Sequence, residues 1–286
     1  VWSKPSKLEQ FTEAVRFEQT LFALPFAFAS MLLAAQGFPS LRTWFWVTLA
    51  MFGARTAGMA ANRIIDRHID AANPRTQDRA LPAGRLSVSQ MTQWMLGSFG
   101  LLLLASYQLN PLCFKLSPLA VGLLLLYSYT KRFTWCCHLV LGLVQACAPI
   151  GGWLAVTGEW SSTPLALGAA IGLWVGGFDV LYACQDFDHD RSVGLFSIPA
   201  RFGKEGAFKI SRLMHVLAFV LFITVGRLEG LGHYYFGCLG FVASMLWWQH
   251  QILKPNDLSR LQQAFFHANV AISLSLLLGV ILEIIR

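Results

Sequence analysis

Apolar residues along this chain come in long runs, not in alternation with polar ones. Nine runs of about 17 to 25 residues, approximately 19–36, 41–61, 91–109, 111–130, 137–156, 164–184, 212–228, 231–252 and 265–284, are each long enough to cross a hydrocarbon core as an α-helix. A lipid-facing β-barrel would show shorter segments of alternating polarity, so the pattern predicts an all-α polytopic membrane bundle with nine transmembrane helices. The connections around Asn110 and Gly230 are very short. Residues 62–90 and 185–211 are instead long and charged, fall on the same predicted side, and are expected to form helical cap loops over one end. No linker or low-complexity segment divides the chain, which reads as one domain over residues 1–286. The first apolar run begins only after Glu18 and lacks a small-x-small cleavage site, so it is expected to be retained as a helix.

Composition agrees with this pattern. The chain is 55% hydrophobic and only 13% charged, against the roughly 25% charge of soluble domains. That excludes an ordinary soluble protein, and it excludes nucleic-acid binding as the use of the +7 net charge. With the N-terminus inside, 17 of the 22 Lys and Arg residues fall on the cytoplasmic side, including Lys4, Lys7 and Arg16, Arg63 to Arg85, Lys131 and Arg132. This bias predicts an inside N-terminus and, after nine crossings, an outside C-terminus. The six Cys residues show no ligand spacing and read as small buried side chains.

The acids are few and concentrated. Seven of the fifteen, Asp66, Asp70, Asp78, Asp179, Asp186, Asp188 and Asp190, lie in or beside NRIIDRHID (62–70) and DVLYACQDFDHD (179–190). Asn62, Asp66 and Asp70 are spaced four apart, so on a helix their oxygens share one face. Asp179, Asp186 and Asp190 also recur on successive turns, and Asp179 lies in an apolar run where an unpaired charge is costly. Hard oxygen donors suit Mg²⁺, which retains waters and takes further ligands from phosphate. If the two stretches pack together, repulsion between them needs relief from metal or arginine. The expectation is two Mg²⁺-assisted diphosphate clamps or one shared two-metal cleft. A proton or cation pathway, and solvated helix ends paired with Arg63 and Arg67, are the alternatives. Arg75 and Arg79 offer bidentate donors to phosphoryl oxygens, and Lys131, ending YSYTK, a compact charge; membrane anchoring is the simpler reading of any one alone.

These motifs resemble those of the UbiA superfamily of intramembrane aromatic prenyltransferases. NRIIDRHID matches NxxxDxxxD, DVLYACQDFDHD matches DxxYAxxDxxxD, YSYTK (127–131) matches YxxxK, and the likeness covers essentially the whole chain. The resemblance implies a nine-helix bundle whose active site opens at the cytoplasmic end, with a lateral route for a lipid tail. It implies transfer of a polyprenyl group from polyprenyl diphosphate to an aromatic carboxylate acceptor, with Mg²⁺ as cofactor. Asn62, Asp66 and Asp70 would hold one Mg²⁺. Asp186 and Asp190 would organise a second, with Asp179 and Asp186 in the acceptor chemistry. Arg75, Arg79, Tyr127 and Lys131 look like donor contacts. Arg55, seven positions before Asn62 among small residues, resembles an arginine that pairs with the acceptor carboxylate, and within the membrane its charge needs an anionic partner.

The implied acceptor is 4-hydroxybenzoate, in ubiquinone synthesis. A dihydroxynaphthoate of menaquinone synthesis is the alternative, since RFEQTLFALPFAFA (16–29) resembles that branch as well. A transporter of an anionic solute, using Arg55 and the intramembrane acids, is the alternative of another class. Phe22, Phe26 and Phe28 read as core or lipid packing, Trp247 and Trp248 as interfacial anchors, and His68 and His189 as supporting residues within the motifs. The expected location is the cytoplasmic membrane of a prokaryote, with the active site facing the cytoplasm and no obligate protein partner.

Overall fold

The structure, a computed structural model, describes residues 6–15 and 20–286, and for residues 7, 8 and 20–23 the backbone alone. Lys4, Arg16, residues 16–19 of the RFEQTLFALPFAFA stretch and the Phe22 side chain lie outside the described residues. Among those described, regular structure is helical, apart from one isolated bridge between Lys254 and Asp257.

The helices are α1 (Lys7–Ala14), α2 (Thr20–Ala35), α3 (Leu41–Ile65), α4 (Arg67–Ala72), α5 (Val88–Leu109), α6 (Pro111–Thr130), α7 (Cys137–Thr157), α8 (Ser162–Ala183), α9 (Phe187–Ser192), α10 (Ile198–Leu228), α11 (His233–Ile252) and α12 (Leu261–Ile284). Polar caps punctuate the apolar runs. Ser40, Ser87, Asn110, Ser161 and Ser197 each accept a hydrogen bond from a backbone N–H in the following first turn. Asn110 explains the tight hairpin between α5 and α6: it caps α6, Pro111 supplies the first helical residue, and its amide donates to the Leu154 carbonyl at 2.7 Å.

Among the described residues, five helices are long and apolar enough to cross a membrane: α6, α7, α8 with its continuation to Ser192, α10 and α12. The chain is therefore an all-α membrane protein with several long apolar spanning helices. The charged segments are more helical than expected. The second apolar run continues as helix to Ile65, taking Asn62 with it, and α10 begins at Ile198, not near 212. The hydropathy pattern missed that start because Ser197 caps a charged first stretch, which bends at Gly203 (φ 74°) before the apolar part. The order long helix, acidic break, short helix, long helix occurs twice, as α3–α4–α5 and α8–α9–α10.

Helix α8 packs between α7 and α10, α3 packs on α5, and α2 lies against α7. Small residues set these crossings. A Cβ at Gly142 would lie 2.4 Å from the Gly172 carbonyl oxygen, and one at Gly152 would lie 2.5 Å from that of Ala27, so the backbones of α2, α7 and α8 meet closely. The main core includes Phe26, Trp153, Trp174, Phe222 and Tyr235. Phe26 meets Trp174 edge-on at 5.2 Å and Phe28 meets Trp44 at 4.6 Å, so both rings are packing residues. Trp247 is exposed, whereas Trp248 packs against the core. The cysteines are all free thiols, and two of them, Cys137 and Cys184, are buried.

Candidate active site

Both acidic motifs interrupt their helices. Asp66 caps α3 (φ −90°, ψ 2°) and α4 starts at the next residue, yet Asp66 N donates to Asn62 O at 2.9 Å and Asp70 N to Asp66 O at 2.8 Å. The four-residue rhythm survives the break, which keeps the three side chains on one wall. In the second motif α8 ends at Ala183, a 3-10 turn covers Cys184–Asp186, and α9 presents Asp190. These two breaks, with the end of α6 and the start of α7, enclose a cavity of about 190 Å³.

Asn62, Asp66, Asp70, Arg75, Arg79, Tyr127, Lys131, Asp179, Asp186 and Asp190 all line it. Arg55 does not; it is half-buried two turns along α3 from Asn62. Asp78, Asp188 and His68 are exposed and outside the lining, while His189 is part of it.

Each acid has a partner of its own. Asp66, 2% exposed, takes Lys131 Nζ at 2.7 Å on one oxygen and Arg132 Nη2 at 3.0 Å on the other, with the Asn62 amide donating to it at 2.9 Å. Arg79 Nη1 reaches both oxygens of Asp70 at 2.8 Å, and Arg63 approaches the same carboxylate at 3.9 Å. Arg75 grips Asp186 bidentately at 2.8 and 2.5 Å, and the Asn73 amide donates to it at 2.9 Å. Burial works against the Arg75 charge, but the Asp186 carboxylate more than offsets it and raises the guanidinium above its ordinary value. Ser197, the cap of α10, donates to Asp190 at 3.0 Å, and Asp179 meets His138 Nδ1 at 2.7 Å.

Residues of the first motif's loop thus hold the second motif's acid, and the end of α6 holds the first motif. Five carboxylates and four fixed cations (Arg63, Arg75, Arg79 and Lys131) share the lining. Such a mixed surface suits a ligand that is both multiply anionic and accompanied by a cation. The donor set is carboxylate and amide oxygen, which fits Mg²⁺. No group of three His, Cys, Asp or Glu among the described residues is placed to hold an ion unaided. A Mg²⁺ here would complete its shell with water and phosphate oxygens, as that ion ordinarily does.

Several lining or bracing residues went unread in the sequence. In the sequence Arg132 enters only the cytoplasmic charge bias, and Arg63 only that bias and a helix-end pairing. Asn73 could have been suspected from its place in NPRTQDR, and Ser197 as a helix cap. His138 gave no signal, since it meets Asp179 across 41 positions of chain.

The UbiA prenyltransferase family matches residues 23–270, and the chain belongs to it. It is a polyprenyltransferase of that family. A 4-hydroxybenzoate octaprenyltransferase of Shewanella sediminis is 32% identical over 286 residues, covering 96% of this chain and 97% of that protein. The apo structure of a UbiA homolog from Aeropyrum pernix K1 superposes with a TM-score of 0.85 at 35% identity, covering 93% of this chain and 98% of that one. A UbiA homolog from Archaeoglobus fulgidus bound to GPP and Mg²⁺ shares the fold at a TM-score of 0.68 and 17% identity, over 97% of this chain and all of that one.

Proposed function

We propose that the protein transfers a polyprenyl group from polyprenyl diphosphate to the ring carbon of 4-hydroxybenzoate ortho to its hydroxyl, releasing diphosphate, in ubiquinone-type quinone biosynthesis. The observation that carries this reading is the convergence of both acidic motifs and four cations on one cavity. Relatives named for 4-hydroxybenzoate, at 28–32% identity, support the acceptor.

Asn62, Asp66 and Asp70 would hold one Mg²⁺ and Asp186 and Asp190 a second; the ions would neutralise charge developing on the departing diphosphate. Arg75, Arg79 and Lys131, now paired with acids, line the same cavity and would share that role, with Tyr127 beside them. Cleavage of the allylic C–O bond leaves carbocation character on the prenyl carbon, which the electron-rich ring carbon attacks; loss of the ring proton restores aromaticity. Asp179 or Asp186 would polarise the phenol, and Arg55, two turns along α3 beyond the cavity lining, would receive the acceptor carboxylate. Apolar walls hold the tail and keep water from the cation. The reading includes nine crossings in a prokaryotic cytoplasmic membrane, with this end of the bundle facing the cytoplasm.

The test incubates purified protein in detergent with a polyprenyl diphosphate, Mg²⁺ and a panel of 4-hydroxybenzoate and dihydroxynaphthoate, and identifies products by mass. Prenylated 4-hydroxybenzoate is expected. A product on the naphthoate alone would reassign the acceptor, and no product, with solute flux after reconstitution, would favour a transporter.

A further inference from the structure

His138 lies in the first turn of α7, buried on the cavity wall. Its Nδ1 stands 2.7 Å from Asp179 Oδ2, and its Nε2 is buried without a hydrogen-bond partner. An ionised carboxylate only accepts, so the imidazole is the donor. The Asp179 side chain is 27% exposed against 4% for His138. The carboxylate therefore faces the cavity and the imidazole stands behind it.

Backbone packing builds this contact. Helices α7 and α8 meet where Gly142 opposes Gly172, and a Cβ at Gly176 would lie 2.9 Å from the His138 carbonyl oxygen. Gly172, Gly176 and Asp179 share one face of α8 by their spacing of four and three, as His138 and Gly142 share one face of α7. Side chains at these glycines would part the helices and lengthen the bond. Asp66, Asp70 and Asp186 are each held by Lys or Arg, groups suited to exchange partners with a diphosphate. Asp179 is held by a buried imidazole on a rigid crossing, an arrangement for fixing a carboxylate in place.

We propose that His138 is a positioning residue for Asp179. The Nδ1–H···Oδ2 bond locks the carboxylate plane so that Oδ1 is presented to the acceptor hydroxyl. The proposal rests on the reading of Asp179 as an acceptor contact. Loss of a hydrogen bond to a charged group costs about 10- to 100-fold, and here the loss falls on turnover of bound acceptor, not on donor binding.

The experiment compares His138→Asn, whose amide nitrogen takes the place of Nδ1, with His138→Gln, whose nitrogen reaches nearer Nε2. Asp179→Asn and the His138→Gln/Asp179→Asn pair complete the set. Turnover of 4-hydroxybenzoate is normalised to the fraction of protein that binds a non-hydrolysable polyprenyl diphosphate analogue with Mg²⁺, so that lost folded protein cannot imitate the effect. His138→Gln is expected to lower kcat about 10- to 100-fold with unchanged analogue affinity, His138→Asn to recover to within about threefold, and the double variant to fall no further than Asp179→Asn. Normal turnover in His138→Gln, equal impairment of Asn and Gln, or additive losses in the double variant would overturn the positioning role while Asp179→Asn remains impaired. Full activity in Asp179→Asn would instead overturn the reading of Asp179 itself.

Discussion

Asp66 is buried between two cations, and replacing it by Asn separates its structural from its chemical role. Lys131 Nζ lies at 2.7 Å and Arg132 Nη2 at 3.0 Å from its two oxygens, with the Asp66 side chain 3% exposed. At an effective dielectric of about 20 each contact is worth about 6 kcal/mol of gross attraction, most of which desolvation cancels. What remains measurable is the cost of leaving the two cations without their anion, below the roughly 3–5 kcal/mol of a fully buried pair because Lys131 and Arg132 are 29% and 30% exposed. Arg132 tolerates the loss better, because it also donates to the carbonyls of Ser128 at 2.7 Å and Ile65 at 2.9 Å. Lys131 is the stranded group. Asp66→Asn should therefore destabilise the protein by about 1–3 kcal/mol, and adding Lys131→Met should restore part of that loss. Neither variant should regain turnover, since each lacks the carboxylate proposed to hold the metal and the double variant also lacks a cation proposed for the diphosphate; losses of about 10²-fold or more are expected. Denaturant unfolding in detergent, beside turnover, reads both quantities. A double variant no more stable than Asp66→Asn alone would refute the reasoning.

Three further outcomes follow from the geometry. Gly142→Ala sets a Cβ 2.4 Å from the Gly172 carbonyl oxygen and should cost about 1–3 kcal/mol, read as a lower unfolding midpoint. Arg75→Ala removes both bonds to Asp186 and the contact proposed for the diphosphate, so affinity for a non-hydrolysable donor analogue should fall about tenfold or more by titration. Arg55→Ala should raise the KM for 4-hydroxybenzoate about tenfold or more while donor affinity holds; an unchanged acceptor KM would remove Arg55 from the acceptor site.

The long apolar runs were legible because a membrane demands length and hydropathy from each spanning segment, and a helix meets both within itself. The helix starts in the charged segments were not, because α10 opens on the polar stretch SIPARFGKE and its start depends on the Ser197 cap. The motif acids were legible for the opposite reason: carboxylates are so costly beside lipid that their spacing stands out. Their partners were hidden, since Arg132, Asn73 and His138 approach them from other helices or loops. Spacing reports neighbours on one helix, and a contact such as His138–Asp179 depends on how Gly142, Gly172 and Gly176 let two helices meet.

The central claim is that both motifs act on one metal–diphosphate site. Binding of a non-hydrolysable polyprenyl diphosphate analogue, measured by calorimetry in detergent with and without Mg²⁺, tests it in the wild type, Asp70→Asn and Asp190→Asn. The account predicts Mg²⁺-dependent binding that either substitution weakens at least about tenfold. Binding indifferent to Mg²⁺, or lost in one motif's variant and untouched in the other's, would contradict it.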